Sequence, residues 1–198
     1  MPSKKYWNDR YNNNDIGWDI GKVSHPIKKW FDHESDISKK ILIPGAGRGF
    51  EVGYAYEIGF KNVYYLDFSN SASQKFKKQF PNFPKSQIIT DNFFNLSKYN
   101  NYFDTIIEQT FFCAISPNKR VQYINKNFEL LKKNGKIIGL LFNINLNEKS
   151  PPFGGTKESY ELLFKAKFNI LKIETCYNSV SPRANNELWV SMENYKID

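Results

Sequence analysis

Several things are scarce in this chain, and each scarcity excludes a class of chemistry. Its 198 residues hold two cysteines and two histidines. Cys113 and Cys176 are too far apart for a metal-ligand spacing or a redox CxxC pair, and Cys113 lies in an apolar run that suits a buried, reduced thiol. His25 and His33 both precede the first apolar strand segment, so no Ser-His-Asp or Cys-His arrangement is evident. No apolar run reaches the roughly 18 residues of a membrane span, and Met1 to Asp9 offers no apolar core for a secretory signal. These absences predict a soluble cytoplasmic protein with no membrane partner and no metal. There is no internal repeat, and Asn12-Asn13-Asn14 and Tyr99-Asn100-Asn101 are too short to be more than loops. The net charge of +8 comes from lysines scattered among Asn and Asp, which points to a solvated surface rather than a nucleic-acid footprint.

What is present alternates between strand-like and helix-like segments. Short apolar runs at Lys40–Ile43, Val63–Leu66, Gln87–Ile89, Asp104–Ile107 and Lys136–Leu141 suit strands buried on both faces. Between them Phe50 to Ile58, Ala72 to Phe80 and Arg120 to Leu131 carry helical periodicity. Asn134-Gly135 is expected to end the third of these helices. Thr156 can cap a helix through Leu163, and Asn169–Glu174 with Glu187–Met192 reads as a terminal hairpin completing a seven-stranded sheet. The expectation is one α/β domain over 1–198, a Rossmann-like, mostly parallel sheet flanked by helices over 39–198. Residues 1–38, with Trp7, Tyr11, Trp18 and Trp30, carry too much aromatic surface for a tail and are expected to fold over the sheet edge as a lid.

The chemistry sits at the strand ends. Pro44-Gly45-Ala46-Gly47-Arg48-Gly49 follows the first strand as a GxGxG turn, which lets a ligand approach the backbone closely; a plain tight turn is the alternative. The second strand ends in Asp67, placed to accept hydrogen bonds from both hydroxyls of a ribose, or else to cap the next helix, a task Ser69 or Asn70 does equally well. Thr90-Asp91-Asn92-Phe93-Phe94 closes the third strand with polar groups for an adenine amino group and an aromatic face for its ring. A dinucleotide pyrophosphate fits less well, because the glycines fall as GxGxG and Glu51 follows at once.

On Tyr6-Trp7-Asn8-Asp9-Arg10-Tyr11, Ile16 to Gly21, Leu42 to Gly49, Leu66 to Ser69, Asp91 to Phe94, Phe111 to Ile115 and Pro151-Pro152-Phe153, the chain resembles the thiopurine S-methyltransferase superfamily. Within it the likeness is greatest to the halide and thiol methyltransferases. The resemblance implies a class I methyltransferase fold and S-adenosylmethionine (SAM) as cofactor, with S-adenosylhomocysteine as product. It implies that Trp7, Tyr11 and Trp18 line the cofactor pocket from the lid, Gly45 the methionine end, Asp67 the ribose, and Asp91 with Asn92 the adenine. Gly47, Phe68 and Phe93 complete that set, and Glu108 and Gln109 border the reacting centre. Arg120 is the expected acceptor-side cation, with an exposed first-turn arginine as the alternative, and Tyr160 and Phe153 are further pocket candidates. This chain has Tyr11 where the family commonly has tryptophan, and Asn92 where it has aspartate.

Methyl transfer from a sulfonium is an in-line displacement in which alignment and exclusion of water matter most. The absence of a general base favours an acceptor already anionic near neutral pH: a thiol, hydrosulfide, thiocyanate or halide. A heterocyclic thiol or metalloid acceptor, an RNA-directed activity, and a binding protein without turnover are the alternatives. The expected partner is a small molecule, met by a monomer.

Overall fold

Strands of this sequence are buried on both faces, and their side chains alternate between two separate cores. In the computed structural model, which describes residues 2–147 and 149–196, β1 (Ile41–Pro44), β2 (Val63–Leu66), β3 (Ile88–Ile89), β4 (Phe103–Gln109), β5 (Leu131–Phe142), β6 (Phe168–Thr175) and β7 (Glu187–Asn194) form one sheet. Its order is β3-β2-β1-β4-β5-β7-β6. The first five strands run parallel, and β7 pairs antiparallel with both β5 and β6. Leu42, Leu66, Ile106 and Ile137 face one core, and Ile41, Ile43, Val63, Tyr65, Ile107 and Ile138 face the other.

Helices cover both faces. α5 (Arg120–Leu130) and α6 (Lys157–Phe164) bury Tyr123, Ile124, Tyr160 and Phe164 in the first core. α2 (His25–His33), α3 (Phe50–Glu57) and α4 (Asn70–Gln79) bury Ile27, Phe31, Val52, Ala55 and Phe76 in the second. Within residues 1–38, α1 (Lys4–Asn12) is capped by Ser3 and packs on α4. Thr156 caps α6 in a capping box with Ser159, the pairing that satisfies two orphan amide donors at once.

Two boundaries differ from the sequence expectation. α5 stops at Leu130 and β5 begins at Leu131, so Asn134-Gly135 lies inside a strand instead of closing a helix. Asn134, at φ 60°, marks a bulge where the β4–β5 register shifts between Phe103 and Thr105; asparagine tolerates the left-handed conformation such a bulge needs. α4 starts at Asn70, earlier than Ala72, because the Ser69 hydroxyl accepts the Ala72 N–H. Among the described residues no helix is long and apolar enough to cross a membrane, and no cluster of three metal-ligating side chains occurs.

The chain leaves β1 toward β2 on one side and returns to β4 on the other. Open α/β sheets place their ligands at that switch, outside the carboxyl ends of the strands.

Candidate active site

The glycine-rich turn after β1 is pressed from two sides. Gly45 and Gly47 have φ of 61° and 57°. A Cβ on Gly45 would lie 2.4 Å from the Phe111 ring, and one on Gly47 would lie 2.4 Å from the Tyr11 hydroxyl. The turn therefore needs glycine both for its backbone and for the close approach of the β4 loop and the lid. The Gly47 amide donates to Asp67 Oδ2 at 3.0 Å and the Ser69 amide to Oδ1 at 2.8 Å. Burial pushes the Asp67 carboxyl up to about 6, against those hydrogen bonds. Ser69, not Asp67, caps α4, which leaves each Asp67 oxygen a lone pair for something else.

Around this turn opens a cavity of about 530 Å³. Trp7, Tyr11 and Trp18 line it from the lid, and Gly45, Asp67, Phe68, Asp91, Asn92 and Phe93 from the strand ends. Trp18 meets Trp7 and Tyr11 edge to face, with centroids 5.2 and 5.9 Å apart. The cavity is lined further by Cys113, Ile115, Phe142, Ile144, Pro151 and Pro152, and by two cations: Arg10, whose guanidinium lies over the Trp18 ring, and Arg183. The Arg183 guanidinium donates to the Trp18 carbonyl and pairs with Glu187 at 3.4 Å, so it ties the lid to the β6–β7 connection. Arg183 and its neighbour Asn186 carry no signal in the sequence: the loop that holds them is polar and without periodicity, and only the hairpin fold returns it to the crevice.

Six expected site residues lie outside this cavity wall: Gly47, Glu108, Gln109, Arg120, Phe153 and Tyr160. Gly47 sits behind the Tyr11 hydroxyl. Glu108 is 1% exposed, and accepts from the amides of Phe111 and Phe112 and from the Tyr123 hydroxyl at 2.6 to 2.8 Å. Burial raises its carboxyl to about 7. Gln109 Oε1 takes the Ser24 hydroxyl. Arg120 is 7% exposed, which excludes the exposed first-turn reading. Its Nη2 donates to the carbonyls of Phe153 and Gly154 at 3.0 and 2.7 Å, and the guanidinium lies over Phe112. The Tyr160 hydroxyl donates to the Phe142 carbonyl at 2.7 Å. Arg120 and Tyr160 thus brace the segments that form the apolar wall. Phe153 is buried and lies beside that wall, its amide donating to the Cys113 carbonyl.

Cys113 does line the cavity, but burial pushes its thiol well up and the Sγ donates to the Thr110 carbonyl, so it stays a neutral part of the wall. Glu51 accepts the Ser24 amide at 3.0 Å and is not part of the lining.

Comparison with known proteins agrees with this geometry. The thiopurine S-methyltransferase (TPMT) family profile matches residues 3–196. A probable thiol methyltransferase of Arabidopsis thaliana and a thiocyanate methyltransferase of Brassica oleracea are each 30% identical over 174 residues, spanning 86% of this chain and 76% of theirs. A thiopurine S-methyltransferase of Vibrio atlanticus is 25% identical, over 83% of this chain and 82% of its own. In fold, the chain resembles the 1,6-didemethyltoxoflavin-N1-methyltransferase of Burkholderia thailandensis, solved with S-adenosylhomocysteine, at a TM-score of 0.80 and 15% identity, over 98% of this chain and 87% of that one. The chain is therefore a SAM-dependent methyltransferase of class I fold and belongs to the thiopurine S-methyltransferase family.

Proposed function

We propose that the chain methylates a small, soft nucleophile, namely a thiol, hydrosulfide, thiocyanate or halide, and that one continuous cavity holds both reactants. The carrying observation is the lining: Asp67, Asp91 and aromatic faces, which this reading puts at one end, and an apolar wall with the Arg183 guanidinium, which it puts at the other. The names of the thiol and thiocyanate methyltransferase relatives support this acceptor class.

The first end fits SAM. Asp67 keeps a lone pair on each oxygen for the ribose hydroxyls, and Asp91, Asn92 and Phe93 stand ready for the adenine, with Phe68 and Gly45 completing the lining. When bound, SAM supplies a methyl group on a positively charged sulfur. Trp7, Tyr11 and Trp18 favour that charge, each aromatic face contributing about 0.5 to 2 kcal/mol when desolvated. At the other end Arg183 draws in the anion, and Ile115, Phe142, Ile144, Pro151 and Pro152 strip its water. These residues would align the acceptor's lone pair with the methyl carbon, opposite the sulfonium leaving group, and exclude water, and no proton would have to move when the acceptor enters as an anion. Arg120 and Tyr160 act one layer back, through the wall segments they brace. Gln109 joins the β4 end to Ser24.

The reading includes a cytoplasmic monomer acting on a dissolved small molecule, with no nucleic-acid partner. The test is to incubate purified protein with SAM and iodide, thiocyanate, hydrosulfide, methanethiol, an aromatic thiol or selenite, and to follow S-adenosylhomocysteine together with headspace products. Turnover of iodide or a thiol is expected. SAM binding by calorimetry with no product from any of them would overturn the acceptor class, and no SAM binding would overturn the reading as a whole.

A further inference from the structure

The turn that follows β4 holds a residue in a conformation its side chain disfavours. Thr110 has φ of 56°, left-handed backbone that a β-branched residue adopts only where its surroundings impose it. The constraint is visible. Glu108 Oε1 accepts the consecutive amides of Phe111 at 2.8 Å and Phe112 at 2.7 Å, and Oε2 accepts the Tyr123 hydroxyl of α5 at 2.6 Å. The Cys113 thiol closes on the Thr110 carbonyl at 3.3 Å.

This turn is one part shared by both ends of the cavity. It lays the Phe111 ring against Gly45, where an added Cβ would come within 2.4 Å. It also delivers Thr110, Cys113, Ala114 and Ile115 to the lining. Glu108 itself has no place in that lining, and with three donors converging on its carboxylate it is poorly placed to take a proton from an acceptor.

Resting on the methyl-transfer reading above, we propose that Glu108 is a positioning residue: through the Phe111 and Phe112 amides its carboxylate holds Thr110 left-handed, and so sets the cavity wall from Gly45 to Ile115. Glycine adopts positive φ without such help, which makes the idea testable as an interaction between two positions. In Glu108→Ala the turn loses its hold, and kcat is expected to fall about tenfold or more. In Glu108→Ala with Thr110→Gly the turn no longer needs holding, and about fivefold of that loss should return. Without ligand, Glu108→Ala should lower Tm by about 3 °C less when introduced into the Thr110→Gly variant than when introduced into the natural sequence. Glu108→Gln keeps an oxygen for the two amides and should retain kcat within about threefold.

Equal Tm losses in both backgrounds would overturn the proposal. So would a folded Glu108→Gln that loses more than about 100-fold in kcat, since that magnitude marks a proton-transfer group. Should Glu108→Ala fold in neither background, Glu108→Gln decides by that same criterion. A Tm cycle with the expected coupling but a wild-type protein that turns over no acceptor would instead overturn the methyl-transfer reading and leave the hold of Glu108 on Thr110 standing.

Discussion

Two carboxylates flank β1, one at the end of β2 and one at the end of β4, and both are buried. Asp67 follows the last paired residue of β2, where the chain has already turned into the crevice, and it takes one backbone amide per oxygen. Glu108 is still inside β4, paired with Gly139 of β5, and its side chain points to the α5 face, where Tyr123 and two loop amides close around it. One residue of register past the strand end therefore separates a carboxylate that lines the cavity from one closed inside the fold. Burial raises both, to about 6 and about 7, so a perturbed titration alone does not distinguish the two roles. Their placement does: Asp67 lines the cavity and Glu108 does not.

The largest effect expected from this contrast is on cofactor affinity. Asp67→Ala should weaken SAM binding by about 100-fold or more, about 3 kcal/mol for two hydrogen bonds to a charged acceptor. Glu108→Gln should change it by about twofold or less, since the turn keeps an acceptor. Equal losses by calorimetry would erase the distinction. Acidification probes the same pair without mutation. As pH falls through about 6, protonation of Asp67 removes an acceptor from the ribose, and SAM affinity should decline toward tenfold per pH unit. Stability without ligand should move the opposite way. Both carboxyls titrate higher in the folded than in the unfolded chain, so the folded state binds more protons. Their contribution to stability then grows as pH falls, from about 7 for Glu108 and about 6 for Asp67, until the unfolded carboxyls titrate as well. Calorimetry paired with ligand-free melting between pH 5 and 8 reads both slopes.

How much of this was legible in the sequence follows from what determines each feature. The strands, the glycine turn and Asp67 are local: an apolar run with a polar end predicts them, and all seven strands join one sheet whose terminal hairpin pairs beside β5. The direction of a side chain at a strand end is not local. Glu108 and Arg120 occupy positions that could open on the crevice, yet the first is closed by Tyr123 and the second by the Phe153 and Gly154 carbonyls, contacts set by loops whose conformation no periodicity encodes. Arg183 shows the converse: distant from every motif in the chain, it reaches the cavity because β7 pairs next to β5.

The two arginines sharpen the comparison at the acceptor end. Arg183→Ala should reduce kcat/KM for thiocyanate by about tenfold, near 1.4 kcal/mol, with a smaller loss for a neutral thiol, because it removes a charge from the cavity itself. Arg120→Ala should act first on stability. It leaves two buried carbonyls without their donor, a cost of about 2 kcal/mol, or about 4 to 8 °C in Tm for a domain of this size. A fall in thiocyanate turnover with unchanged Tm in Arg120→Ala would move the acceptor site toward α5.

The smallest effect is expected at the lid, and it bears on Asp67 directly. Asn8 of α1 accepts the Ser69 hydroxyl at 2.8 Å and the Ser71 amide at 3.3 Å, and the Ser69 amide in turn holds Asp67 Oδ1. Losing this latch removes two net hydrogen bonds at a partly solvated contact. The rings of Trp7, Tyr11 and Trp18 would still pack on each other, so Asn8→Ala should weaken SAM binding by only about two- to fivefold. Calorimetry on this variant separates two origins of affinity. A loss as large as that of Asp67→Ala would mean that lid closure, rather than the carboxylate's own hydrogen bonds, dominates the cofactor end; a small loss assigns the affinity to the carboxylate itself, which Asp67 presents to the cavity and Glu108 does not.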